Sequence, residues 1–136
     1  MAIKFKIYPE LKLMVDVCTG PLTFADLKRL TMIEKSHPDF LEVDRILSDI
    51  SEAHLIVNAN DIEEFASLLS TPGTDSTARW AILTAAPNHV ALSMLLKTNL
   101  DQFQAVEVFS TLNACNTFLE IKYRDEQFDE EGFVEV

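Results

Sequence analysis

Asp49, Ser51 and His54 stand within six residues of one another, a carboxylate, a hydroxyl and an imidazole. These are the types from which a nucleophile, its base and the base's orienting group are made. That chemistry needs the imidazole within hydrogen-bond reach of the hydroxyl, a third group holding the imidazole, and an oxyanion site. Such partners normally come from separate elements, and no G-x-S-x-G elbow surrounds Ser51. Three polar residues at the exit of a strand are more simply a turn that satisfies its own backbone, so the sequence argues against an enzyme. The three histidines, His37, His54 and His89, have no i,i+4 relation and no neighbouring cysteine, so no metal site is written here. His37 precedes Pro38 at a helix end, where a cation suits the dipole. His89 falls in the first turn after Pro87, where a neutral ring is favoured. The glycines, Gly20, Gly73 and Gly132, are isolated from one another. Neither a Walker loop nor a dinucleotide fingerprint can be drawn, and no cofactor is expected.

The elements that would position these residues follow from periodicity. Ile3, Phe5 and Ile7 alternate with Lys4, Lys6 and Tyr8, and after Pro9-Glu10 the alternation resumes with Leu11, Leu13, Val15 and Val17 against Lys12, Met14, Asp16 and Cys18. Two such runs joined by a two-residue turn predict a hairpin, with Gly20-Pro21 breaking its second strand. Thr23 with Asp26 signals a helix start, Phe24, Leu27, Leu30, Met32 and Ile33 give its apolar face, and His37-Pro38 ends it. Residues 45–50 predict a short buried strand. Asn60 with Glu63 predicts the next cap, followed by a stripe of Ile62, Phe65, Ala66 and Leu69. Residues 71–77 form a polar loop. The run from Arg79 through Ala85 is apolar at nearly every position, as in a strand covered on both faces. Pro87 opens a helix to about Asn99 with Val90, Ala91, Met94 and Leu95 inward. Ala105–Phe109 is a last strand, and Ser110 caps a final helix facing inward through Leu112, Cys115, Phe118 and Leu119. The order β-β-α-β-α-β-α-β-α predicts an α/β domain with a mixed sheet packed by helices.

A chain of 136 residues with 48% hydrophobic composition builds one core. A net charge of −11 argues against nucleic acid or an anionic membrane as partner. The start is an alternating run and not a signal peptide, and no stretch is long and apolar enough for membrane insertion. Cys18 and Cys115 lie far apart with no partner at metal spacing, which predicts reduced thiols and a cytoplasmic setting. Residues 125–136 carry six acids and no base. The expected organisation is therefore a domain over 1–122 and an acidic tail over 123–136, with Phe128 and Phe133 hinting that the tail packs.

Arg79 and Trp80 open the central strand as core or as an anchor pair at a binding surface. The helix with Val90, Leu92, Met94 and Leu95 is apolar on more than one face, as if buried twice or lent to a dimer or ligand groove. With the opening hairpin, three segments, Asp44-Arg-Ile-Leu-Ser-Asp-Ile-Ser, Arg79-Trp-Ala-Ile-Leu-Thr and the run from Val106 to Leu119, make residues 2–120 resemble the STAS-like (SpoIIAA-like) domains, the fold of anti-sigma-factor antagonists. The pattern is similar to a bacterial subgroup of stand-alone domains related in fold to Sec14-type lipid-binding modules. The resemblance implies a non-enzymatic, homodimeric module that docks a protein partner through its second or third helix. The alternative is a carrier or sensor of a small apolar ligand or lipid, with Phe24, Phe65, Trp80, Met94 and Leu95 lining the pocket. In the antagonists a serine in the loop after the third strand is phosphorylated. Here Val57-Asn58-Ala59-Asn60 falls at that point without a hydroxyl, so the switch does not carry over, and Ser51 upstream is left open. Asn58 or Asn60 can still cap the helix. The candidate interaction or pocket residues are Asn58, Asn60, Trp80, Met94 and Leu95.

Overall fold

The computed structural model describes residues 2–69, 78–100 and 105–136. The predicted polar loop 71–77 lies outside them. Strand β1 (Ala2–Tyr8) and β2 (Leu13–Thr23) form the opening hairpin; then follow α1 (Phe24–Ser36), β3 (Arg45–Ile56), α2 (Ala59–Leu69), β4 (Arg79–Leu83), α3 (Pro87–Thr98), β5 (Ala105–Phe109), α4 (Leu112–Leu119) and a short β6 (Val134–Glu135). They build one sheet in the order β5-β4-β3-β2-β1-β6. β2 through β5 pair in parallel, while β1 is antiparallel to both β2 and β6. The predicted class, a mixed α/β sheet packed by helices, holds.

Each parallel strand is added on the same side of its predecessor, so right-handed crossovers place α1, α2 and α3 on one face of the sheet. Helix α4 closes no crossover and takes the opposite face. The core is divided accordingly. Met14, Ile46, Trp80 and Ile82 look toward Leu30, Phe65 and Leu96 of α1–α3. Leu13, Val15, Leu47 and Ala81 look toward Cys115 and Leu119 of α4, with Tyr8 and Tyr123. Both faces of β2 are therefore buried, and the predicted polar side of that strand, Met14-Asp16-Cys18, lies in the interior.

Several local expectations are corrected. The hairpin turns through a 3-10 turn at Pro9–Leu11 closed by Lys12 in the left-handed region, which leaves Leu11 39% exposed instead of inward. Gly20-Pro21 does not break β2. Beyond Thr19 the β1 partner has ended, so this part of β2 is a free edge on one side and a missing N–H is tolerated there, while Gly20 takes φ 77. Strand β3 is twice the predicted length: Asp49 pairs with Val17 and Glu52 with Thr19, one extra residue on β3, and pairing then continues to Ile56. The predicted turn at Ser51–His54 is thus a bulge and a strand.

At α1 the predicted capping box is present: Thr23 Oγ1 accepts from Asp26 N at 3.2 Å and Asp26 Oδ2 accepts from Thr23 N at 2.9 Å. His37 is its C-cap. Met32, predicted inward, is 62% exposed. Helix α2 is capped by Asn58 and Asp61, which exchange side-chain-to-backbone bonds at 2.9 and 3.0 Å, so the cap lies two positions before the predicted Asn60–Glu63. Thr111, not Ser110, caps α4, accepting from Ala114 N. On α3 the buried residues are His89, Ser93 and Leu96; Ala91 and Met94 are exposed and Val90 and Leu95 half-buried, a rotation of the predicted face.

The acidic end folds onto the molecule. A 3-10 turn at Asp125–Asp129 leads to β6 on the open edge of β1, and Phe128 and Phe133 pack on the α4-side core. Lys4 Nζ donates to Phe128 O at 2.6 Å and lies 4.5 Å from the Phe133 ring centroid. Lys6 Nζ donates to Glu130 Oε1 and Glu131 O at 2.9 and 2.8 Å. Gly132 turns the segment at φ 102, where a Cβ would meet Lys6 Cε at 3.1 Å.

Candidate functional site

Between α1–α3 and the sheet lies a cavity of about 120 Å³. Its wall is apolar over most of its extent, from Leu27 and Leu30 of α1, Ile62 and Phe65 of α2, Trp80 of β4 and Leu96 of α3. Leu41, in the connection from α1 to β3, borders it and is 77% exposed, so the cavity reaches the surface there. Interiors are normally packed to the density of organic crystals, so a space of this size between helices and sheet is out of the ordinary.

Six polar residues border the cavity: Asp16, Thr31, Glu34, Lys35, Ser48 and Ser93. Three of them, with Trp80, form a chain. Trp80 Nε1 donates to Ser48 Oγ at 2.9 Å, and Ser48 hydrogen-bonds the Asp16 carboxylate. Asp16, from the middle of β2, also meets Glu34 of α1. Both carboxyls are buried. Burial raises Glu34 well above the usual carboxylate range, and the adjacent Asp16 charge raises it further. Burial also raises Asp16, opposed by its bonds to Glu34 and Ser48. Both shifts favour the protonated carboxyl, that of Glu34 the more strongly. Glu34 Oε2 is fully buried and receives no hydrogen bond from any N–H or hydroxyl. Among the described residues neither carboxyl forms an ion pair. The Cys18 thiol beside them is pushed far up, first by burial and then by the charges of Asp16 and Glu34.

Of the residues singled out from sequence, Trp80 and Phe65 border the cavity. Asn58 caps α2, Asn60 is exposed in its first turn, Met94 is 58% exposed on the outer side of α3, and Leu95 packs half-buried on the helical core. The Asp49, Ser51 and His54 group is not assembled for catalysis. Ser51 Oγ donates to Asp49 Oδ1 at 2.5 Å and Ser51 N to the same oxygen at 3.0 Å, while exposed His54 lies opposite Pro21. Among the described residues no hydrogen bond joins His54 to Ser51, and no group of three His, Cys, Asp or Glu side chains could hold a metal ion. His89 is buried against Thr84 Oγ1 at 2.8 Å, and burial, then the nearby His54, lower its pKa, in keeping with the expected neutral ring.

Asp16, Glu34 and Ser48 escaped the reading of the sequence. The available signal was positional: Asp16 sits between Met14 and Cys18 on a central strand, and Glu34 continues the Leu27–Leu30–Thr31 stripe at helical spacing.

A sheet with three helices on one face, a fourth on the other and an opening antiparallel hairpin is the SpoIIAA-like fold, enclosing here a carboxyl-lined apolar cavity. Among solved structures, the chain is similar to an uncharacterized protein from the DUF3478 family with a SpoIIAA-like fold from Shewanella loihica PV-4, at 16% identity and TM-score 0.55 over 79% of this chain and 83% of that one. No family model and no curated protein matches the sequence. No helix among the described residues is long and apolar enough to cross a membrane.

Proposed function

We propose that this chain is a non-enzymatic SpoIIAA-like module that takes up a small apolar molecule between α1–α3 and the sheet. The observation that carries the reading is the cavity of about 120 Å³ with a mainly apolar wall and a few convergent polar groups, the general character of small-molecule sites. Its size sets the ligand. An apolar cavity of about 150 Å³ admits benzene, and this one, somewhat smaller and reaching the surface at Leu41, is on the scale of a small ring or a short chain. Enzymatic use is disfavoured because Ser51 already gives its proton to Asp49.

Trp80 is the single tryptophan in the sequence and borders the cavity, so its fluorescence reports occupancy directly. Titration with toluene should shift the emission saturably and raise the unfolding midpoint. Leu30→Trp, which fills the cavity from α1, should abolish the stabilisation. An unfolding midpoint that does not respond to toluene in the parent chain would overturn the reading.

Docking of a protein partner on the α3 side is a second reading, favoured by the exposure of Met94 on a helix that is otherwise half apolar. Met94→Glu should then prevent association without altering toluene binding, and association that survives this substitution argues against that surface.

A further inference from the structure

The polar end of the cavity has a chemistry of its own. Asp16 projects from β2 and Glu34 from α1, and the two carboxyls meet at the wall of the cavity. The Trp80–Ser48 chain fixes the Asp16 side. Glu34 Oε2 is left fully buried with no donor, and a buried acceptor without a donor is costly. Among the described residues neither of these two buried carboxyls has an ion-pair partner. A buried charge left uncompensated is strongly unfavourable. The other charged group on the wall, Lys35, donates Nζ to Leu68 O at 3.3 Å, at the seam of α1 and α2. Ser93 of α3 and the thiol of Cys18 complete the polar surroundings and bring no charge.

Resting on the apolar-ligand reading above, we infer that the ligand is a small primary amine, its ammonium on Asp16 and Glu34 and an apolar body of about six carbons, by comparison with benzene-sized cavities, against Leu30, Phe65 and Trp80. An ammonium brings three donors and one positive charge. Its N–H groups reach the Asp16 and Glu34 carboxyls, and its charge supplies the cationic partner that both lack among the described residues. A hydroxyl brings a single donor and no charge. A carboxylate head brings a negative charge and no donor, and is repelled. The net charge of −11 on the whole molecule favours approach of a cation in the same sense.

The test holds the ring constant and varies the head. Benzylamine, benzyl alcohol and benzoate are titrated at pH 7 into the full chain, with Trp80 emission as readout and toluene as the headless control. Benzylamine should bind at least tenfold tighter than benzyl alcohol, and benzoate should not bind. In Asp16→Asn/Glu34→Gln, which keeps shape and removes charge, the amine-to-alcohol ratio should fall to within twofold. Benzyl alcohol binding as tightly as benzylamine, or a ratio unchanged in the double variant, overturns the amine assignment while leaving the apolar cavity standing. Failure of toluene to bind would instead remove the reading beneath it. Should the double variant fail to fold, the ratio in the parent chain decides alone, and nuclear Overhauser contacts from the benzylamine methylene to Trp80 and Leu30 locate the head.

Discussion

Glu34 sits in an environment opposed to what its type prefers. It is a helical glutamate with 6% exposure, in contact with an equally buried aspartate at the wall of an apolar cavity. Its folded pKa lies well above the unfolded value because burial opposes ionisation and Asp16 adds its charge. Its contribution to stability is therefore complete below the ordinary glutamate range and is lost as pH rises through the folded value, at about 1.4 kcal/mol per pH unit inside that window. Urea unfolding followed from pH 5 to pH 9 should show this decline, and Glu34→Gln should reduce its slope; an identical slope in the variant would assign the effect elsewhere. Glu130 has the opposite sign. Its bonds from Tyr8 and Lys6 hold its pKa below the usual range, so that contribution is present above the ordinary glutamate range and is lost as pH falls through the folded value.

At the scale of elements, the helices on the cavity side are positioned by their first turns. Thr23 and Asp26 satisfy each other's backbone at the exit of β2, and Asn58 and Asp61 do the same at the exit of β3. Both caps stand where a long parallel strand turns into a helix, so each fixes the angle at which its helix crosses the cavity. Thr23→Ala and Asn58→Ala should each cost about 1 kcal/mol in urea unfolding, the usual value of a lost N-cap, and Asn60→Ala should cost less than half of that because Asn60 caps nothing. Equal losses for Asn58→Ala and Asn60→Ala would show that the first turn of α2 is not held as described. The amphipathic pattern located α2 and α4 well, since their apolar stripes are single. It misplaced the inward face of α3 because the apolar residues between Val90 and Leu96 lie on more than one face and a polar pair, His89 and Ser93, takes buried positions.

For the whole molecule, the acidic segment closes the sheet. β6 pairs with Lys4 and Phe5, Val136 N donates to Ile3 O at 2.9 Å, and Tyr8, Tyr123 and Phe128 stack edge to face at 5.0–5.6 Å. Tyr8 donates to Glu130 Oε1 and lies 2.9 Å from the Tyr123 hydroxyl. Burial, and then these bonds, push the Tyr8 hydroxyl far up its range, while burial takes Tyr123 up to about 12. Deleting residues 125–136 should cost about 2–4 kcal/mol, the scale of uncovering two half-buried phenylalanines and their neighbours. It should also leave the β1 edge open for pairing with another chain. Urea unfolding and size-exclusion chromatography would register both, and a truncated chain with unchanged midpoint and elution would show that the segment only solubilises.

The order of strands and helices through α4, the α/β class, the α1 capping box and the absence of a serine at Asn58–Asn60 were legible from the chain alone, whereas β6 was not. Periodicity, proline and capping chemistry act over a few residues and leave local signatures. The length of β3 was not legible, because residues Ser51–Ile56 are polar or half-exposed and become a strand only by pairing with the free stretch of β2 beyond Thr19. The cavity and its carboxyl pair were hidden for the same kind of reason. Asp16 and Glu34 lie 18 positions apart, and each alone resembles an ordinary solvated acid. Only the crossover that folds α1 back over β2 takes both out of water and brings them together.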